Sequence, residues 1–385
     1  MPSDRHYISY TPSLLLFGKT DFPSKHVPKP IKMSLTRQSL STIPLSYASC
    51  SIGCPPSHKQ NLPLPFRLAA LSKAGFTGIE LSMPDLVTFA NEHFKRNDID
   101  NHSFDSLCSA AAVVKTLCDE HGLTIMLLQP FANFEGWPAD SPERRDAFSR
   151  AEGWLNIMEA CGCEMLQIGS TDTPAEKIGT DRARFVSDLR EIADMAGERG
   201  KKIAYENWCW STHAPGWEDV WDICEKVGRG NFGLCLDTFQ SAGGEWGDPS
   251  TGSGVVEGGE GREEVAKRWQ QSCQRLSETI PPEKIFLLQI SDAYKPEQPF
   301  ANEADENGMR PRARWSSAWR PLPFEGYLPV VDFAKAVLRT GFRGWFSYEI
   351  FDGGIDGQGK EYQLEDWAKA ARECQRKLVD ACVEG

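Results

Sequence analysis

Two short apolar runs near the middle of the chain, KKIAY and FGLCL, each end in a carboxylate, Glu206 and Asp237. Runs of this length bounded by turn residues read as buried strands of a parallel sheet. The segment between them is long enough for the loop and helix of a βαβ unit. Both carboxylates are therefore expected at the C-terminal tips of neighbouring parallel strands, where α/β folds carry their chemistry. The pattern recurs downstream, where KIFLLQI carries Gln289 and GWFSYEI carries Glu349. Taken singly, a carboxylate at a strand end is as readily an ion pair or a loop cap. Strand ends converge in a closed barrel, and three carboxylates gathered there repel unless a cation neutralises them. Glu206, Asp237, Gln289 and Glu349 offer only oxygen, which suits a hard divalent ion, Mg or Mn ahead of Co or Zn.

The elements that must position these side chains follow in order along the chain. LSYASCSIG (Leu45 to Gly53) is a strand, FRLAALSKAG a Gly-terminated helix, and FTGIELS a second strand ending near Glu80. MPDLVTFANEHF and the segment after Ser103 read as helices, with Ser103 and Asp105 as capping residues. LTIMLLQPF, EMLQIGS, KKIAYEN, NFGLCLDT, KIFLLQIS and WFSYEIF continue the strands, each followed by a helical pattern. One of these helices opens with Ser141 as N-cap and Pro142 at its first position. A Gly-rich stretch, GGEWGDPSTGSGVVEGGEG, reads as a mobile loop over the strand ends, and an irregular insert spans about Asp292 to Leu328. Eight strands alternating with helices predict a (β/α)8 TIM barrel. An open doubly wound sheet is disfavoured because no GxGxxG follows the first strand. Residues 1–42, rich in Ser, Pro, Lys and Thr, read as a flexible extension before a single domain, 43–385, with Met33 offering a second start.

A net charge of −12 over 385 residues argues against nucleic acid or anionic membrane as the main partner. It leaves room for a small anionic substrate, which needs only a local cluster of Arg. No apolar run is long enough to cross a membrane, and SLLLF is too short for a signal-peptide core. Twelve cysteines without a CxxC pair read as reduced thiols of a cytoplasmic protein, with Cys161 and Cys163 in the core. Homo-oligomerisation is left open.

AYENW, GLCLDTFQ, LLQISDA and SYEIF resemble the four metal-binding strand ends of the xylose-isomerase-like TIM barrel superfamily, which includes sugar-phosphate isomerases and epimerases. Gln rather than His at the third ligand resembles its 3-dehydroshikimate dehydratases. ASCSIG, AGFTGIELSMPDL, LQPF, ENWCWSTH and RPRARWSSAWRPLPFEGYLPV are similar to the fungal members. The resemblance spans about Leu45 to Cys382. It implies a divalent-metal hydro-lyase of quinate catabolism that forms protocatechuate, with a sugar or keto-acid isomerase or epimerase as the alternative. Such a lyase needs a Lewis acid at the substrate ketone, a base for the α-proton and a clamp for the carboxylate.

His213, seven residues after Glu206 in a loop of turn composition, falls where the family places an active-site histidine and is the candidate base. Glu206 and Glu349 are further candidates for proton transfer. A second family histidine, three residues after the Asp ligand, is replaced by Gln240, which can hold a hydroxyl but cannot act as a base. Arg310, Arg312, Arg314 and Arg320 crowd the insert. Arg forks grip carboxylates bidentately, and Arg314 and Arg320 are the expected substrate clamp. The family's Arg after LQPF is Ala132 here. Glu80 is a candidate contact to a substrate hydroxyl, and Asp292 a group that orients a ligand. Trp210, Trp246 and Phe131 either wall the pocket or pack in the barrel.

Overall fold

The computed structural model describes residues 35–54, 62–257, 261–360 and 363–383. Most of the expected N-terminal extension, residues 1–34, lies outside the described residues. The described chain already packs before residue 43. Thr36 caps a one-turn helix, Arg37–Leu40, in a reciprocal hydrogen-bond pair with Ser39, and Leu40 is buried.

Eight parallel strands close into a barrel: β1 (Leu45–Ala48), β2 (Gly78–Ser82), β3 (Thr124–Phe131), β4 (Met165–Gly169), β5 (Lys202–Glu206), β6 (Phe232–Asp237), β7 (Ile285–Ile290) and β9 (Trp345–Tyr348). β8 (Trp319–Arg320) and β10 (Phe351–Asp352) form a small antiparallel pair outside it. The barrel strands are short apolar runs because both faces are covered: β2, β4 and β6 are buried at every residue. The outer helices bury one stripe each. In Val330–Arg339 the buried Val330, Phe333, Ala334, Val337 and Leu338 recur at helical spacing, and each large aliphatic side chain so buried stabilises the fold by about 2 kcal/mol.

Three local expectations change. Ser103 does not cap the next helix with its side chain; its hydroxyl is exchanged with Asp100 instead. A helix, Thr238–Glu245, follows β6, taking Thr238 from the expected strand and Gly243 to Glu245 from the expected loop, because Asp237 Oδ1 accepts the N–H groups of Phe239 and Gln240 as an N-cap. The Gly-rich stretch beyond it is fastened rather than free: Gly247 bridges Val255, the Lys295 ammonium donates to Gly252 O, and the Tyr327 hydroxyl to Gly254 O.

Candidate active site

Alternate residues of each strand face the barrel axis. Met126, Leu127, Met165, Ala204, Cys235 and Leu287 form an apolar plug apart from the main core. Two residues further along β4, β5, β6 and β7 stand Gln167, Glu206, Asp237 and Gln289. Glu80 on β2, Gln129 on β3 and Glu349, just past β9, complete this polar layer. Registry fixes the neighbours: Asp237 pairs with Gln289, and Gln289 with Ser347, two residues before Glu349. All seven side chains are buried.

Three carboxamides steady three carboxylates. Gln167 donates to Glu206 Oε2, Gln129 to Glu349 Oε1 at 3.2 Å, and Gln289 to Glu80 Oε2 at 2.8 Å. The Trp208 indole N–H also reaches Glu206 Oε2, at 3.3 Å. Trp208 can cross the end of β4 only because residue 169 is glycine; a Cβ there would meet its ring at 2.1 Å. Gln289 Oε1 accepts the Cys235 thiol, while Glu206 Oε1 and Glu80 Oε1 are buried without a partner.

Arg320, on β8 of the insert, enters this layer. Its Nη2 donates to Asp237 Oδ2 at 2.6 Å and its Nη1 pairs with Glu349 Oε2 at 2.9 Å. Burial pushes the carboxyl of Glu80 up to about 8 and raises those of Glu206, Asp237 and Glu349. Burial alone would lower the Arg320 pKa, but Asp237, Glu349 and Glu206 outweigh it and hold the guanidinium charged. One fixed cation among four buried acids leaves a surplus of carboxyl oxygens, which can take up protons or a metal ion.

A divalent ion suits that surplus. The donors are all oxygen, and Glu206 Oε1 faces no hydrogen-bond donor. As they stand, however, Asp237 and Glu349 are turned to the guanidinium, and no three His, Cys, Asp or Glu side chains among the described residues gather closely enough to hold an ion. The chemistry of the donor set fits a metal; the arrangement is that of a ring already shared with one organic cation.

His213 does not join the ring. Its Nε2 bonds Glu135 Oε1 at 2.9 Å and its ring stacks on Phe185. The same Glu135 oxygen accepts the Tyr205 hydroxyl and the Thr171 N–H. Tyr205 precedes Glu206 on β5, so its side chain leaves the opposite face of the strand. The histidine therefore sits behind the barrel wall, and the expectation that it meets substrate as the base is corrected by that placement. Arg314 is likewise outside: it donates to the carbonyls of Ala301, Glu303 and Met309 within the insert. Arg320 is inside, where its guanidinium pairs with carboxylates of the protein. Arg312 pairs with Asp248 and the carbonyls of Gly243 and Gly247. Arg310 donates to Trp210 O, Asp172 O and Thr212 Oγ1, neutral acceptors all.

Gln240 is buried, and its Oε1 accepts the Cys209 N–H. Asp292 fastens the insert: its oxygens accept the N–H groups of Ala293, Phe324 and Leu328. Trp210 stacks on Trp208, and Trp246 packs on Tyr327. The register of β3 shifts beyond Leu128, and Phe131 turns to Trp154 and Phe134 in the outer core. Gln129, Gln167, Trp208 and Glu135 were not foreseen. The first two carry the signal that exposed Gln289, an amide inside an apolar run.

The chain matches the xylose isomerase-like TIM barrel family over residues 68–378. It is 31% identical over 348 residues, 86% of this chain and 94% of the relative, to a Neurospora crassa protein named 3-dehydroshikimate dehydratase. A Pseudomonas aeruginosa protein of the same name is 29% identical over 331 residues, 83% of this chain but 42% of that longer protein. Among solved structures, an IOLI protein with a binding zinc atom shares the fold, with a TM-score of 0.60 at 18% identity over 88% of this chain and 98% of that one. A closed parallel barrel with a buried oxygen-donor ring and this match place the chain in the xylose isomerase-like TIM barrel family.

Proposed function

We propose that the protein is a divalent-metal-dependent 3-dehydroshikimate dehydratase that forms protocatechuate by loss of water. The observation that carries the reading is the ring itself: three carboxylates and a carboxamide on neighbouring strands, with a buried Glu206 oxygen lacking any donor. It stands in a chain similar to a dehydratase of that name over almost the relative's full length. Glu206, Asp237, Gln289 and Glu349 would hold the ion, which when bound supplies Lewis acidity toward the substrate ketone. Mg and Mn match the donor set best.

The chain's own groups do the rest. Glu349 is the most exposed of the ring carboxylates, at 9%, and so the one nearest the mouth. Its Oε1, held only by the long Gln129 contact, accepts the proton α to the ketone and returns it to the β-hydroxyl, which leaves as water. Arg310 meets the substrate carboxylate. Of the two arginines in the insert without a carboxylate partner, it is the one tied to the rim beside Trp210, whose ring stacks on Trp208 above Glu206. Gln240 orients a substrate hydroxyl. Twelve free cysteines accord with a reducing compartment such as the cytoplasm, and no helix among the described residues is long and apolar enough to cross a membrane.

The test is ultraviolet detection of protocatechuate from 3-dehydroshikimate with Mg or Mn. Absence of product under metal-replete conditions removes the assignment. A second reading, isomerase or epimerase, is favoured by Gln240 standing where the dehydratase resemblance calls for a histidine. Recovery of a stereoisomer in place of the aromatic product would select it.

A further inference from the structure

Arg320 is an unusually complete cation site. A guanidinium has five N–H bonds to give. Nε and Nη2 donate to Ser291 Oγ at 3.0 and 2.9 Å, Nη1 to Ser316 Oγ at 3.2 Å and to Glu349, and Nη2 also to Asp237. Its central carbon lies over Phe239, 4.6 Å from the ring centroid, and over Phe351 at 5.5 Å. The side chain is 1% exposed. No donor is left for a substrate carboxylate.

The same residue belongs to the insert. β8 pairs with β10, Ser316 sits on the insert helix Pro311–Ala318, and the Asp292 N–H donates to Pro321 O. Opening the insert would pull Arg320 from Asp237 and Glu349 and leave two buried carboxylates without their counter-charge, which is strongly unfavourable. The closed insert and the charged ring are therefore one arrangement.

We infer that Arg320 is a positioning residue, an internal counter-cation that the insert lends to the ring and that opposes the divalent ion. This rests on the proposed metal ring. Guanidinium and metal share Asp237 and Glu349, and two cations on the same carboxylates repel. Metal binding loosens the grip of Arg320 and with it the insert. By reciprocity, whatever holds the insert shut weakens metal affinity by the same factor. The chain thus admits substrate more readily once the ion is loaded.

The readouts are Mn2+ affinity by calorimetry and hydrogen exchange of insert peptides over residues 310–322 in the wild type. Arg320→Met is expected to bind Mn2+ tighter by about tenfold or more, the usual size of such couplings, while Arg320→Lys, which keeps the charge, stays nearer wild type. In the wild type, Mn2+ should speed exchange in the insert, a measurement that stands even if the Met variant does not fold. Unchanged or weaker affinity in Arg320→Met, or exchange that is unchanged or slowed by Mn2+, overturns the antagonism while leaving the metal ring intact. A wild-type protein that binds no Mn2+ overturns the ring and this inference together.

Discussion

Glu206 presents a buried oxygen with no donor, while its other oxygen is held by Gln167 and Trp208. A carboxylate fixed on one side and open on the other is suited to a metal, so Glu206→Ala or Glu349→Ala should abolish turnover and metal uptake while far-ultraviolet dichroism stays native. The supporting amides act through the carboxylates they hold. Gln129→Leu and Gln167→Leu should each weaken metal affinity by about 10- to 100-fold, read by calorimetry, with the fold retained. His213 gives the opposite signature. Its loss in His213→Ala removes one of three donors from a buried Glu135 oxygen and should lower stability by about 1–3 kcal/mol in chemical denaturation, with kcat changed far less than in the ring variants. The four ring donors were legible because each is a polar residue closing or interrupting an apolar run. Gln129 and Gln167 carried that mark too, but an amide beside no acidic neighbour gives no hint of which carboxylate it will meet. His213 misled because distance along a loop does not say which side of the wall the loop descends, and only the alternation at Tyr205 and Glu206 settles it.

At the level of elements, the insert supplies the guanidinium that pairs with the ring. Its arginines look like an anion site in sequence, yet three serve as ties: Arg312 to the loop after Gly243, Arg314 to its own carbonyls, Arg320 to the ring. Sequence shows the charge of an Arg, not which acceptor will claim it. The barrel strands and helices were readable from period and punctuation, whereas the helix Thr238–Glu245, of Gly-rich composition, forms because Asp237 caps it, a tertiary fact as much as a local one. Asp292 tests the element. It gathers three backbone N–H groups, and residue 326 must be glycine there because a Cβ would lie 2.4 Å from Ala293 O and from the Asp292 carboxylate. Asp292→Ala strands those donors, each costing about 1–3 kcal/mol when buried. The expected result is a loss of roughly 3 kcal/mol or more in stability and faster proteolysis between 294 and 328, with the barrel's far-ultraviolet signal kept.

For the molecule as a whole, burying this many acids sets the pH dependence of stability. Burial pushes Glu80 from 4.5 to about 8 and Glu245, on the helix after β6, from 4.5 to about 7. Between the unfolded and folded values the native protein keeps protons that the unfolded chain releases, so unfolding sheds protons and stability falls as pH rises. The metal-free protein should therefore be more stable near pH 5 than near pH 8, the reverse of a protein held by salt-bridged carboxylates with depressed pKa values. Glu245 alone accounts for roughly 3 kcal/mol of that decline at the upper limit, since a tenfold change in proton affinity is worth about 1.36 kcal/mol. Two interventions separate its share from the ring's. Glu245→Gln should flatten the decline between pH 4.5 and 7 whether or not metal is present, because its neighbours are Ser272, Glu218 and Arg275 rather than the ring. Mn2+ should instead raise stability most at pH 8, since an ion binds ionised ligands and its effect grows as the ring gives up protons. Denaturant midpoints at pH 5 and 8, with chelator and with Mn2+, test both at once. Stability that climbs with pH in chelator would mean that Glu80 and Glu245 are already charged in the metal-free native protein, against the effect of burial.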